Sequence, residues 1–145
     1  MRLLVSACLL GACCRYDGGS KPCPQVLALL ERHTLFPVCP EQLGGLPTPR
    51  LPAERQGRRV VRRDGADVTA AYERGAQEAA RLYALLRCEG AVLKSRSPSC
   101  GCGEIYDGSF TGAKIPGDGV TARLLLECGA PVYTEEMEEA LSLLL

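Results

Sequence analysis

Strand-like and helix-like stretches alternate along this chain, and that alternation narrows the possible folds more than any other feature. Residues 3–6, 34–38, 91–95 and 131–133 are short apolar runs bounded by Gly, Pro or small polar residues, and they read as buried strands. Between the first two, residues 24–32 carry Val26, Leu27 and Leu30 at helical spacing, behind prolines that suit a helix start. Residues 67–88 place Val68, Tyr72, Ala76, Ala79, Tyr83 and Leu86 on one helical face, with Asp67 as N-cap and Gly90 as C-cap. A helix over 120–128 is capped by Asp118 and closed by Gly129, and Thr134 caps a last helix whose first turn would hold Glu135 and Glu136. Strands separated by helices predict a parallel sheet covered on both faces. The expected fold is a three-layer, Rossmann-like α/β architecture with a small parallel sheet flanked by helices. With 145 residues, there is no room for a second core, so 1–145 is expected to be one domain.

Two stretches fit neither pattern. Residues 44–56 hold Pro47, Pro49 and Pro52 and are expected to be irregular. Residues 58–63 then read as a strand, with Asp64-Gly65 as a hairpin-turn signal before a very short return strand. Arg50, Arg55, Arg58, Arg59, Arg62 and Arg63 face only Glu54 within this region. The plain reading is a solvated hairpin; the sharper one is a contact for an anion or RNA. Residues 95–119, rich in Ser, Gly and Pro, are expected to be functional loop.

Global charge favours neither nucleic acid nor an anionic membrane, because 17 basic residues balance 17 acidic ones. The apolar N-terminus resembles a short signal sequence, with Leu10-Gly11-Ala12-Cys13 like a lipoprotein cleavage site. Cleavage there would discard the first strand, so the segment is read as part of the fold and the protein as cytoplasmic. No run approaches the ~20 apolar residues of a membrane span.

The nine cysteines are an odd number, which does not complete a disulfide framework, and a reducing compartment with metal-bound thiolates fits them better. Three share one context. Cys8 follows the first strand, Cys39 the second and Cys100 the third. In a parallel sheet the carboxyl ends of the strands lie on one edge, where ligand sites form, so three thiols distant in sequence can meet there. Soft sulfur ligands suit zinc or an iron–sulfur cluster. A structural zinc takes four ligands, often as Cys-x-x-Cys pairs. No such pair occurs, Cys100-Gly101-Cys102 being one residue too close, and the only histidine, His33, falls at the end of a predicted helix.

Three protein ligands leave a coordination position open, and open positions are catalytic. Glu41, two residues after Cys39, is placed to act as a general base. Ser97 and Ser99 flank Pro98 before Cys100 and are candidates to hydrogen-bond a polar substrate, while Asp118 either orients a loop or caps a helix. Cys88 and Cys128 read as small apolar side chains. Cys13, Cys14, Cys23 and Cys102 fall in loops and are each open to being a fourth ligand or a redox thiol.

Three sequence blocks together resemble a known family. The first runs from Ser6-Ala7-Cys8-Leu9-Leu10-Gly11 to Arg15-Tyr16-Asp17-Gly18. The second is Pro37-Val38-Cys39-Pro40-Glu41 with Gly44-Gly45-Leu46-Pro47-Thr48-Pro49-Arg50. The third is Lys94-Ser95-Arg96-Ser97-Pro98-Ser99-Cys100-Gly101, followed by Ile105-Tyr106-Asp107-Gly108 and Pro116-Gly117-Asp118-Gly119-Val120-Thr121-Ala122. The combination, spread over nearly the whole chain, resembles the bacterial thiouracil desulfurase family, formerly a domain of unknown function. The resemblance implies a 4Fe–4S cluster on Cys8, Cys39 and Cys100, with one iron free for the sulfur of a small thiolated nucleobase. It implies an active-site Glu41 and an active-site serine at Ser97 or Ser99. It further implies non-redox, hydrolytic desulfuration that releases the oxo product and hydrosulfide. Two other classes stand beside it: a sulfur-handling or tRNA-thiolation-related protein that docks RNA through residues 50–63, and a non-catalytic protein with structural zinc.

Overall fold

The computed structural model describes residues 1–145. In chain order the strands and helices are β1 (Arg2–Ser6), α1 (Pro24–Ala28), β2 (Thr34–Val38), α2 (Pro40–Leu43), β3 (Ala53–Gln56), β4 (Arg59–Arg62) and α3 (Thr69–Leu85). They continue with β5 (Gly90–Leu93), β6 (Glu104–Tyr106), β7 (Lys114–Pro116), α4 (Val120–Glu127), β8 (Val132–Thr134) and α5 (Glu138–Leu144). Short 3-10 turns follow β1 (Ala7–Leu10) and α1 (Leu29–Glu31).

The main sheet has the order β2-β1-β5-β8, and every pairing is parallel. Side-chain alternation on β1 divides the core. Leu3 and Val5 pack with Val26, Leu29, Val92 and Leu141, under α1 and α5. Leu4 points the other way, with Ala79, Ala91, Leu93, Ala122 and Leu125, under α3 and α4. This is the expected three-layer arrangement, and it follows from the period-2 geometry of a strand buried on both faces. The chain goes from β1 to β2 on one side and returns to β5 on the other. Strand order therefore reverses at β1, which opens a crevice beyond the carboxyl ends of β1 and β5. No helix is long and apolar enough to cross a membrane.

The backbones of α2 and α3 touch. A Cβ on Gly44 would lie 2.0 Å from the Ala71 carbonyl oxygen, and one on Gly75 would lie 1.9 Å from that of Pro40. Only a glycine pair allows this approach, which seats α2, and with it Glu41, against α3.

Several local expectations need correction. The basic strand β4 pairs backwards with β3, which lies in the stretch expected to be irregular, and Gly57 at φ +63° makes the turn between them. Asp64-Gly65 is a second turn that returns the chain to a single bridge between Val61 and Asp67. α3 ends at Leu85, and Arg87, at φ +54°, takes the left-handed turn expected of Gly90. Gly90 instead begins β5, with space for a Cβ limited by Leu3 at 3.3 Å. Residues 95–119 include the antiparallel pair β6–β7. Thr134 ends β8 and α5 starts only at Glu138, so Glu135 and Glu136 precede the helix. Glu136 pairs with Arg96, and Glu135 turns toward β5.

Candidate active site

A cavity of about 570 Å³ opens at the carboxyl edge of the sheet and is lined by Cys8, Cys39 and Cys100 together with Glu41 and Ser97. Each thiol is set by its own segment. Cys8 sits in the 3-10 turn after β1, where its carbonyl accepts the N–H groups of Gly11 (3.2 Å) and Lys21 (2.9 Å). Cys39 is the extended residue just before α2, with Pro40 at the first helical position. Cys100 lies in a turn closed by the Gly101 N–H on the Ser97 carbonyl (2.9 Å).

Cys8 and Cys100 are only 7% and 5% exposed. Burial pushes the Cys8 thiol up to about 11, although the nearby Lys94 ammonium works the other way. Burial likewise pushes Cys100 up to about 12, partly opposed by a hydrogen bond from Ser6, with Cys8 and Cys39 near enough to add to the rise. Soft metals displace such protons on binding. Sulfur donors gathered at one cavity, with no histidine among its lining residues, fit an iron–sulfur cluster.

Glu41 occupies the first turn of α2. Both contacts from Arg50, Nε at 2.7 Å and Nη2 at 2.5 Å, go to Oε2, which leaves Oε1 free of the guanidinium. Arg50 also donates to the carbonyls of Cys14 (2.9 Å) and Pro47 (3.1 Å) and to Thr48 Oγ1 (3.0 Å). One guanidinium thus ties the Cys14 loop, the 47–50 segment and α2 together. Tyr72 of α3 is 3% exposed, and its phenol lies beside Glu41. Burial first, then the Glu41 carboxylate, push that phenol far above the ordinary tyrosine value, so it stays protonated.

The two serines separate. Ser97 lines the cavity, and its Oγ accepts the N–H groups of Ser99 (3.1 Å) and Cys100 (3.0 Å). Ser99 is 1% exposed and does not line the cavity; its hydroxyl pairs with Thr121 Oγ1 at 2.8 Å on the first turn of α4. It is a packing residue, held there because Gly119 brings the two backbones together; a Cβ on Gly119 would lie 2.4 Å from the Ser99 carbonyl. Asp118 orients a loop, its Oδ1 accepting the Gly103 N–H at 2.8 Å, while Gly119 takes the cap position of α4.

Of the remaining cysteines, Cys14 lines the cavity, with its thiol beside Cys39. Cys13 and Cys128 are exposed, Cys23 packs on the α1 side of the core, and Cys88 and Cys102 pack on the α3–α4 side. His33 bridges the Met1 amino group (3.0 Å) and the Leu144 carbonyl (2.6 Å), far from the cavity.

The six arginines do not form one basic face. Arg50 points inward, Arg55 donates to the Asp118 carbonyl at 2.5 Å, and Arg63 lies over Phe110 at 5.8 Å. Arg59 and Arg62 pair with Asp67 and Asp64.

Sequence reasoning missed three site residues and misplaced a fourth. Tyr72 was expected only on the inner face of a helix, and Arg50 only in a basic stretch. Lys94 was expected inside a strand over 91–95; β5 ends at Leu93, which puts Lys94 at the carboxyl edge. Glu135 was expected in a helix.

A cavity beyond the strand ends of a parallel α/β sheet, lined by three thiols, a carboxylate and a hydroxyl, has the make-up of an enzyme active site. The chain belongs to the 2-thiouracil desulfurase family, whose model matches residues 3–137. An uncharacterized Bacillus subtilis (strain 168) protein, YbbK, is 40% identical over 143 residues, covering 92% of this chain and 95% of that protein. A solved structure described as the [4Fe-4S]-dependent thiouracil desulfidase TudS superposes with a TM-score of 0.89 at 47% identity, covering 98% of this chain and 95% of that one.

Proposed function

We propose that this chain, acting as one domain in the reducing cytoplasm, hydrolyses the thiocarbonyl of a small thiolated pyrimidine at a 4Fe–4S cluster held by Cys8, Cys39 and Cys100. The observation that carries the reading is the placement of three thiols, Glu41 and Ser97 around a single cavity. The net reaction is thiocarbonyl plus water giving carbonyl plus hydrogen sulfide, which ionises to hydrosulfide and a proton. No electrons are exchanged. Held by Cys8, Cys39 and Cys100, such a cluster would supply a soft Lewis acid suited to the sulfur of a thiocarbonyl.

The chain's own groups do the rest. Glu41 Oε1, free of Arg50, takes the proton of the attacking water. Arg50 fixes the carboxylate through Oε2, and the buried Tyr72 of α3 lies beside it. The Ser97 oxygen already accepts two backbone N–H groups, so its own hydrogen is the function left for the substrate. Ser97 therefore donates, to the second carbonyl of the pyrimidine. The tip of the β6–β7 hairpin shields one side: Glu54 Oε1 accepts the Gly108 (3.0 Å) and Phe110 (3.2 Å) N–H groups and draws Phe110 to the rim.

The test is anaerobic reconstitution with iron and sulfide counts, followed by loss of the thiouracil thiocarbonyl absorbance. About four irons per chain, falling sharply in Cys100→Ala, together with turnover, is the expected result. Stoichiometric zinc, or turnover unchanged in Cys100→Ala, would sink the reading.

A further inference from the structure

Lys94 and Glu135 form a mostly buried ion pair on the cavity wall, and the reaction described above makes no use of it. Lys94 Nζ donates to Glu135 Oε1 (2.7 Å) and Ser95 Oγ (3.0 Å), with side-chain exposures of 17% for Lys94 and 12% for Glu135. Glu135 is saturated on this side, accepting also the Ser95 N–H on Oε2 (2.8 Å) and the Ser95 hydroxyl on Oε1 (2.7 Å). The Lys94 N–H donates to Ser6 Oγ at 2.9 Å, which joins the ends of β5 and β1 two residues before Cys8. Lys94 and Ser95 line the cavity; Glu135 stands behind them at the end of β8. The cation is thus the nearer charge to the thiols, and the anion is its anchor.

We infer that Lys94 is a positioning residue for the desulfuration centre: its ammonium, aimed by Glu135 and Ser95, places fixed positive charge beside the cluster and favours sulfur that leaves as an anion. The inference rests on the cluster reading. An ammonium in a water-poor wall acts through a low local dielectric, so its field is felt at the thiolates and at the departing sulfur. Glu135 sets where that field originates.

The two members of the pair must act with opposite sign, which no merely structural role predicts. The test uses anaerobically loaded wild type, Lys94→Met, Lys94→Arg, Glu135→Gln and the double variant Lys94→Met/Glu135→Gln, with the cluster reduction potential as readout. Lys94→Met is expected to lower the potential, because a reduced cluster loses its neighbouring cation. Glu135→Gln is expected to raise it, Lys94→Arg to stay near wild type, and the double variant to fall between the single ones. Desulfuration should drop about 10–100-fold in Lys94→Met and recover in Lys94→Arg.

Potentials that move in the same direction in both single variants, or not at all, in proteins that carry full clusters would overturn the inference and leave the cluster reading standing. A wild type that takes up no iron and sulfide would overturn both. Lys94→Gln, with the same predicted fall in potential, keeps the test decisive if Lys94→Met folds poorly, since water admitted by a general loosening favours the more negative reduced cluster and raises the potential instead.

Discussion

The two walls of the cavity are built by different rules. One wall is the carboxyl edge of the parallel sheet, where β1 and β5 end at Cys8, Lys94 and Ser95. The other is assembled from α2, the proline-rich 44–52 segment and the β3–β4 and β6–β7 pairs, and it brings Glu41, Arg50, Glu54 and Phe110. Each wall holds one mostly buried ion pair. Lys94–Glu135 joins the ends of two strands whose positions the sheet already determines. Arg50–Glu41 joins segments that have little regular structure of their own. A guanidinium with several donors suits the second task, and a compact ammonium suits the first. The sheet wall should therefore tolerate loss of its pair better than the loop wall does.

Arg50→Met should show the largest effect. It strips Glu41 of its partner and removes the donor from two carbonyls, those of Cys14 and Pro47. Breaking a buried pair from one side costs about 3–5 kcal/mol. Urea unfolding of cluster-free protein should show that loss. Arg50→Lys should recover only part of it, because one ammonium cannot reach acceptors on three segments at once. A loss of under about 1 kcal/mol would mean that the loop wall holds itself together.

Gly75→Ala tests the same wall without touching a charge. A Cβ 1.9 Å from the Pro40 carbonyl oxygen forces α2 away from α3. Overpacking of this kind costs about 1–3 kcal/mol, and here the upper end is expected because both partners are backbone. Displacing α2 moves Glu41, so turnover should fall more than stability alone explains. Turnover that falls only in step with folded fraction would argue that the α2 position is not critical.

The sheet wall was also the legible one. Period and flanking residues marked all four strands of the main sheet, and the parallel rule then put Cys8, Cys39 and Cys100 on one edge. The loop wall gave no such signal. Pro47, Pro49 and Pro52 hid β3 until its partner β4 was seen, and Asp64-Gly65 advertised a turn one strand too late. Ser97 and Ser99 were indistinguishable in sequence because they stand on either side of the same proline. What parts them is Thr121, 22 positions beyond Ser99, which claims the Ser99 hydroxyl. Glu135 was misplaced because acidic residues after a threonine match a helix start, whereas its real partners are Lys94 and Ser95, 41 and 40 residues earlier. Pairings at such separations leave no periodic trace.

Glu135→Gln should cost less than either loop-wall change, about 1–3 kcal/mol for a mostly buried carboxylate replaced by a neutral isostere. Its pH dependence gives the sharper reading. Burial works to raise the Glu135 carboxyl, but the hydrogen bonds from Lys94 and Ser95 outweigh it and hold the group below its ordinary value of 4.5. A depressed carboxylate contributes stability that is fully present above that ordinary value and is lost as pH falls through the lower folded value. Wild type should therefore lose its advantage over Glu135→Gln only below about pH 4.5, when urea midpoints are compared from neutral pH downward. An advantage already gone near neutrality would mean that the pair is not formed.

The smallest effect is expected at Arg62–Asp64, just beyond the β3–β4 hairpin, and it isolates what burial contributes to the other two pairs. Its geometry is as good as theirs, with Nη2 to Oδ2 at 2.6 Å and a second contact from Nε at 2.8 Å. Hydrogen bonds from Arg62 first, then from the Ala66 N–H, pull Asp64 down to about 2. A shift of that size suggests a strong interaction, but both side chains stand in solvent, where ions screen the pair and water replaces either partner without penalty. Arg62→Ala should leave the urea midpoint unchanged within error at physiological salt, while Asp64 titrates nearer its ordinary range by NMR. A measurable destabilisation would show that the turn at Asp64-Gly65 braces the loop wall from outside. Distance and pKa would then be better guides to stability in this molecule than burial is.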